Sequence, residues 1–226
     1  MGARVFVWIG GAMFVASLAL CAWSYAFVMG RSAPLAGWEP VAVDVALITI
    51  FSLHHSLCAR TRVKDWLARS VSADLLRSVY VWIASALFML VCLAWRPVGG
   101  ELYATTGVLA IALAGVQLIG LGITARAVAR IDPLELAGIR RPAAQTQGLQ
   151  VTGPYHWVRH PLYLGWLLMV FGAAHMTGDR LVFAVTTTAY LIVAIPWEER
   201  SLRQSFGDAY DRYMRDVKSR MIPFIY

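Results

Sequence analysis

The stretch VFVWIGGAMFVASLALCAWSYAFVMG, Val5–Gly30, contains no charged residue in 26 positions. A helix needs about 20 apolar residues to cross the hydrocarbon core of a bilayer. The apolar region of a secretory leader is only about 7–15 residues long, so Val5–Gly30 reads as a first membrane span. The same pattern recurs along the chain. Val45–Ala59, extended back to Val41, is a short second span, Ser78–Trp95 a third and Leu102–Ala125 a fourth. Leu162–Met176 and Leu181–Trp197 follow, split by Thr177-Gly178-Asp179-Arg180, which has turn composition. These last two are predicted to form a helical hairpin. Between them and the fourth span, Arg126–Arg159 is polar and carries Pro133, Pro142, Gly148, Gly153 and Pro154, so it reads as a surface segment.

Composition agrees with lipid as the solvent. Hydrophobic residues make up 59% of the 226 and charged residues 15%, against about 45–50% and 25% in a typical globular chain. A soluble fold this apolar could not cover its surface. Six spans leave about 100 residues for loops and ends, which excludes a large soluble domain. The net charge of +7, from 20 basic and 13 acidic residues, would suggest nucleic acid only if it formed a patch on a folded domain. Here the basic residues flank apolar runs. With six spans the connections alternate sides, and 17 of the 20 basic residues fall on one side, leaving Arg31, Arg96 and Arg180 on the other. That asymmetry places both termini in the cytoplasm. Cys21, Cys58 and Cys92 lie in or beside apolar runs without CxxC spacing and read as packing or lipid-facing residues.

After Glu198 the pattern changes. Leu202, Phe206, Tyr210, Tyr213 and Val217 recur at three to four residues, and Gly207-Asp208 can end one helical segment and cap the next. The expected fold class is therefore all-α: a polytopic membrane helical bundle of six spans with a cytoplasmic C-terminal amphipathic helix. Residues 1–125 form a four-span N-terminal membrane region and residues 126–226 a cofactor-binding core.

Three polar segments concentrate the chemistry. Gly153-Pro154-Tyr155-His156-Trp157-Val158-Arg159-His160-Pro161-Leu162-Tyr163 packs two histidines, an arginine and three aromatic rings in front of a span. Pro161 suits a first helical turn, whose unpaired N–H groups and positive dipole end can hold a carboxylate. Glu198-Glu199-Arg200 sets two adjacent carboxylates at the foot of the hairpin's return helix, either as a solvated helix end or as a site for a cationic group. The hairpin brings His160 and Glu198 to the same membrane face. His54-His55-Ser56 places ionisable groups in a span. Adjacent residues point about 100° apart, so the two histidines are not a metal pair. No GxGxxG after a strand, P-loop or HExxH is present, so a cofactor is not held by one of the common soluble folds.

Gly153–Tyr163 resembles the G-x-Y-x-x-x-R-H-P-x-Y motif of the isoprenylcysteine carboxyl methyltransferase family, integral-membrane enzymes that use S-adenosylmethionine. The resemblance continues through Glu198-Glu199, Phe206-Gly207, Tyr210, Tyr213 and Pro223-Phe224, over about the last 80 residues. His55-Ser56, Ala59-Arg60, Arg77-Ser78-x-Tyr80, Leu136-x-Gly138-Ile139-Arg140 and His175-Met176-Thr177 are similar to the methanethiol S-methyltransferase branch, which is related to the NnrU nitrite-reduction accessory proteins. The resemblance implies S-adenosylmethionine as cofactor, held by Gln147, Gly148, Leu149, Gln150, Tyr155, His160, Pro161, Leu162, Tyr163 and Glu198. It also implies a bacterial inner-membrane location. The eukaryotic enzymes carry a substrate-binding arginine one helical turn before the glutamate, and here that position is Ala194. Its absence favours a neutral or thiol acceptor over an isoprenylcysteine carboxylate.

The cofactor's chemistry suits these residues. A glutamate pairs with its ammonium, and the rings of Tyr155, Trp157 and Tyr163 can stack on adenine or face the sulfonium. Attack by a thiolate on a sulfonium cancels charge, which a low-dielectric site favours. Thiolate formation needs a base or a nearby cation: His54 or His55, with Arg60 or Arg77 as the alternative. The leading expectation is a methyltransferase acting on a small or lipophilic thiol, with membrane lipids around it, no nucleic acid and no obligate protein partner. The rivals are carboxyl O-methylation of a prenylated cysteine, lipid methylation, and an NnrU-like haem protein using His54, His55 and His175.

Overall fold

The computed structural model describes residues 2–58, 63, 66–72, 75–140 and 148–226. The chain runs α1 (Gly2–Trp23) into a π-helical turn (Ser24–Val28), α2 (Trp38–Cys58), α3 (Leu76–Leu93), β1 (Glu101–Ala104) and α4 (Gly107–Val128). There follow α5 (Pro133–Leu136), a 3₁₀ turn (Gly153–His156), α6 (Pro161–Phe171), β2 (His175–Thr177), α7 (Gly178–Phe206) and α8 (Asp208–Asp216). Strands β1 and β2 pair in a two-stranded sheet.

Among the described residues, five helices are long and apolar enough to cross a membrane: α1 with its π-turn, α2, α3, α4 and α7. The protein is a polytopic helical membrane protein. Its helices leave large apolar side chains such as Val108, Ile111 and Leu118 on the outside, where a soluble protein would place polar groups. The predicted span Leu162–Met176 is built differently. Its helix, α6, has 11 residues, about 16 Å at 1.5 Å per residue, or half the hydrocarbon thickness. The helix stops at Gly172, and the chain continues extended. The backbone there finds partners outside a helix. The Ala173 carbonyl accepts from Tyr103 Oη at 3.1 Å. The Ala174 carbonyl accepts from the Thr105 N–H and Oγ1, each at 2.8 Å.

The chain packs as two compact units. The first comprises Met1–Leu102, Asp132–Pro142 and Thr177–Val182. Here α1 lies against α3. A Cβ on Gly10 would come within 2.8 Å of the Trp82 ring, so only glycine admits this approach. The Trp82 ring stacks on Phe6 at 5.4 Å, and its Nε1 donates to the Phe6 carbonyl at 3.0 Å. One end of the unit gathers the connections after α1, after α3 and before α7. The Ala36 N–H donates to the Val98 carbonyl (3.0 Å), the Gly100 N–H to Ala33 (2.8 Å) and the Gly178 N–H to Gly100 (3.1 Å). Buried Asp179 ties them together. Its carboxylate accepts from Trp95 Nε1 at 2.7 Å and from the Val98 and Gly99 N–H groups at 2.9 Å each. Arg180 donates to the Tyr25 and Ala26 carbonyls at 3.1 and 3.0 Å. At the start of α3, Ser78 Oγ donates to the Gly138 carbonyl at 2.7 Å, and Arg77 Nε donates to Glu135 at 2.9 Å. Asp132 caps α5 by accepting from the Leu134 N–H at 2.9 Å.

The second unit comprises Tyr103–Ile131, Ala143–Met176 and Phe183–Tyr226. Its main packing is α4 against α6, crossing at two glycines. A Cβ on either Gly120 or Gly165 would lie 2.7 Å from the other's carbonyl oxygen. Small residues allow this close crossing in lipid, where dispersion rather than hydrophobic exclusion holds helices together. Gln117 Nε2 donates to the Met169 carbonyl at 2.8 Å, and Trp166 Nε1 on α6 donates to Thr187 Oγ1 on α7 at 3.0 Å. Helix α7 has 29 residues, about 43 Å, so Glu198 lies about 30 Å from the helix start at Gly178, one hydrocarbon thickness away. Beyond it Tyr210, Tyr213 and Val217 form a small core with Leu149, Leu202, Phe206 and Met214 packed on it.

Candidate functional site

The second unit assembles the motif segment, the foot of α7 and the C-terminal tail. Gly153 has φ +65°, a left-handed conformation that favours glycine, and opens the 3₁₀ turn. The chain then pairs with the tail. The Arg159 N–H donates to the Ser219 carbonyl at 3.0 Å and the His160 N–H to Arg220 at 2.8 Å. Pro161 occupies the first turn of α6, where its missing N–H costs no hydrogen bond.

His160 is buried between two carboxylates. Its Nδ1 lies 3.5 Å from Glu198 Oε2 and its Nε2 3.4 Å from Glu199 Oε1. Tyr163, three residues on, stacks its ring on the imidazole at 5.2 Å and donates from Oη to Glu198 Oε2 at 2.6 Å. Burial acts to lower the His160 pKa, but the two carboxylates outweigh it and hold the pKa above its ordinary value. Tyr155, pushed up to about 12 by burial and then by the charge of Glu198, stays a neutral phenol at physiological pH. Its carbonyl accepts from Tyr213 Oη at 2.7 Å, which joins the motif turn to the C-terminal core.

The two glutamates occupy different surroundings. The Glu199 side chain is 9% exposed and that of Glu198 45%. Glu199 Oε1 accepts from Arg159 Nε at 2.7 Å, and Oε2 lies 3.5 Å from Arg220 Nε. Arg159 also donates through Nη1 to the Val217 and Lys218 carbonyls at 2.7 and 2.8 Å. The tail is closed on itself: Arg220 Nη1 donates to Tyr226 Oη at 3.1 Å, and the Tyr226 carbonyl accepts from the Met221 and Ile222 N–H groups. Glu199 therefore anchors a clasp while Glu198 faces outward. A cavity of about 430 Å³ opens beside the clasp, lined by Arg159, Glu199, Arg203, Asp211, Arg215 and Arg220 along with Met214. This size lies within the range of small-molecule sites.

Of the predicted cofactor residues, the structure brings Tyr155, His160, Pro161, Tyr163 and Glu198 together. Leu149 packs on the C-terminal core. Gly148 is exposed, and Gln150 and Leu162 are half-buried. Gln147 lies outside the described residues, as does Arg60. His54, His55 and Arg77 belong to the first unit. There the His54 ring stacks on Tyr80 at 5.7 Å, and both of its nitrogens are buried without a hydrogen-bond partner among the described residues. Tyr80 Oη and His55 Nδ1 are hydrogen-bonded. Ser52 Oγ and Ser85 Oγ, on α2 and α3, are likewise buried and unpartnered. Sequence reasoning missed Arg159, Glu199 and Arg220 as site builders. The signal for the first two was present, since an arginine beside the motif histidine calls for a carboxylate and the adjacent glutamates offered two.

A family profile described as phospholipid methyltransferase matches residues 110–209. Methanethiol S-methyltransferase 2 of Bradyrhizobium diazoefficiens is 35% identical over 186 residues, covering 79% of this chain and 72% of that protein. Methanethiol S-methyltransferase 1 of the same organism is 32% identical over 99% of this chain and 85% of its own. The methanethiol S-methyltransferase of Crocosphaera subtropica is 35% identical over 81% of this chain and 74% of its own. No solved structure matches significantly.

Proposed function

The chain belongs to the methanethiol S-methyltransferase family of membrane methyltransferases, and from that premise we propose that it transfers a methyl group from S-adenosylmethionine to the sulfur of a small thiol of the methanethiol kind. The observation that carries the cofactor side is the split of the glutamate pair. Glu199 is committed to Arg159, and Glu198 remains half-exposed beside His160 and Tyr163. The donor set fits the cofactor. A half-exposed carboxylate suits its ammonium, and the guanidinium-rich wall of the neighbouring cavity suits its carboxylate. Tyr155 and Tyr163 supply ring faces for adenine or the sulfonium. When bound, the cofactor supplies a methyl group on a cationic sulfur. The protein's part is to hold it, exclude water and deliver a thiolate; positioning is the main lever in such a displacement.

On the acceptor side, His54 is the base for the thiol proton. Its two unpartnered, buried nitrogens support that role, since an unsatisfied polar group in a membrane segment is costly unless it is used. His55, held by Tyr80, is its neighbour. Arg77, the alternative, already donates to the Glu135 carbonyl. In this reading residues 126–226 form the cofactor-binding core and residues 1–125 the acceptor side. The chain crosses the inner membrane six times, with α6 and the extended segment after it forming the short fifth crossing. Both termini are cytoplasmic, and α8 lies along that face as an amphipathic helix. Ala194, in place of a substrate arginine, keeps the acceptor neutral or thiol.

The test is direct. Membranes bearing the protein, given methyl-labelled S-adenosylmethionine and methanethiol, should release labelled dimethyl sulfide into the headspace. Labelled lipid or prenylcysteine ester instead of a volatile sulfide overturns the assignment.

A further inference from the structure

The end of α4 that the proposed topology places in the cytoplasm carries a feature to which the methyl-transfer reading assigns no role. Arg126 and Arg130 stand four residues apart, on one face of the chain leaving that helix, and both are exposed. Neither has an ion-pair or hydrogen-bond partner among the described residues. With Ala129, Gly153 and Pro154 they line a cavity of about 460 Å³. Gly153 lies against Arg130: a Cβ at that position would meet Arg130 Nε at 3.4 Å and Nη2 at 3.6 Å, ordinary contact, and it is the φ of +65° that favours glycine there.

Position and shape define the ligand. Residues 107–125 are free of charge, so Arg126 is the first charged group met on leaving the apolar body of α4, at headgroup depth. Two unpaired guanidiniums match the forked oxygens of a phosphodiester. The cavity is larger than a bare phosphate needs and has room for the attached glycerol. The same helix face continues into the bilayer through Ile119, which is exposed, and through Gly115 and Gly122, where an added Cβ would meet nothing within 4 Å. Seven and eleven residues separate Ile119 from the two arginines, close to whole helical turns. A shallow apolar track therefore lies directly below a cationic pocket.

We propose that Arg126 and Arg130 bind the phosphate of an anionic glycerophospholipid of the cytoplasmic leaflet, with an acyl chain along the Gly115–Ile119–Gly122 face, as a resident lipid rather than a methyl acceptor. The leaflet's negative surface supplies such lipids at high local concentration.

The test is native mass spectrometry of the full-length protein offered phosphatidylglycerol, phosphatidylcholine or inorganic phosphate. The wild type should retain phosphatidylglycerol at least tenfold over phosphatidylcholine. The Arg126→Gln/Arg130→Gln double variant should lose that preference while binding S-adenosylmethionine with unchanged affinity, which also reports that it is folded. An Arg126→Lys/Arg130→Lys variant should keep part of the preference. Equal retention of the two lipids by the wild type overturns the proposal, as does a preference that survives in the glutamine variant. Displacement of the lipid by equimolar inorganic phosphate would make this a phosphate site. Weakened cofactor binding in the glutamine variant would assign the cavity to the cofactor.

Discussion

Replacing Glu199 by Gln should unfold the site, whereas the same change at Glu198 should spare the fold and weaken cofactor binding. Arg159 and Glu199 have side chains only 7% and 9% exposed and meet at 2.7 Å. Removing one charge of a buried pair typically costs about 3–5 kcal/mol, because the partner stays buried and uncompensated. Arg159 keeps its bonds to the Val217 and Lys218 carbonyls, which argues for the lower end, about 3 kcal/mol. For a chain of this size that lowers Tm by about 6–12 °C. Glu198 is 45% exposed, so Glu198→Gln should shift Tm by no more than about 2 °C. Loss of a charge-assisted contact to the cofactor's ammonium, about 1.5–3 kcal/mol, would raise the Kd for S-adenosylmethionine about ten- to a hundredfold. Thermal unfolding in detergent and titration calorimetry read the two effects separately. A Glu199→Gln protein that melts with the wild type would refute the clasp. A Glu198→Gln protein that binds the cofactor normally would remove Glu198 from the site.

Three further outcomes are expected. The pKa of His160 is raised in the folded protein, so its charged pairing stabilises fully below the unfolded value of about 6.5 and is lost as pH climbs through the folded value. Tm should therefore fall as pH rises above about 6.5 and through the raised folded value, and His160→Gln should flatten that fall; an unchanged slope counts against the pairing. Gly165→Ala puts a methyl group 2.7 Å from the Gly120 carbonyl, an overpacking of backbone on backbone that should cost about 1–3 kcal/mol and be visible as a lower Tm. His54→Gln should reduce kcat about a hundredfold or more near neutral pH with cofactor Kd unchanged. The defect should shrink above the thiol's own pKa, where no base is needed, and a pH-independent defect would argue for a structural role instead.

The positions of the long helices are legible in the sequence, because lipid imposes a length and an apolarity that a sequence states residue by residue. Val5–Gly30, Ser78–Trp95 and Leu102–Ala125 correspond to α1 with its π-turn, α3 and α4 within a few residues at each end. The two apolar runs flanking Thr177–Arg180 are legible, but not the short length of α6, nor that Gly178, Asp179 and Arg180, read as a turn, begin α7 directly after β2. An apolar stretch looks the same whether it is helical throughout or ends at Gly172 and hands its carbonyls to Tyr103 and Thr105. Those partners are about 70 positions away in sequence.

The motif likewise pointed to candidate residues without arranging them. Tyr155, His160, Tyr163 and Glu198 are named from the resemblance to the family motif, and the structure brings them together. Which of two adjacent glutamates is buried could not be read there, because Glu198 and Glu199 are chemically identical and differ only in the direction each takes from α7. One direction leads to Arg159 and the folded-back tail, the other to a half-exposed surface. By itself, then, the sequence determined that this chain lives in a membrane and carries a methyltransferase motif at the end of a span, because hydropathy and motif spacing are local properties. The tertiary structure alone decided that Glu199 holds the clasp, that Glu198 is half-exposed beside His160 and Tyr163, and that Arg126 and Arg130 line a cavity without a charged partner among the described residues. Burial and charge pairing depend on groups that only folding brings within 4 Å.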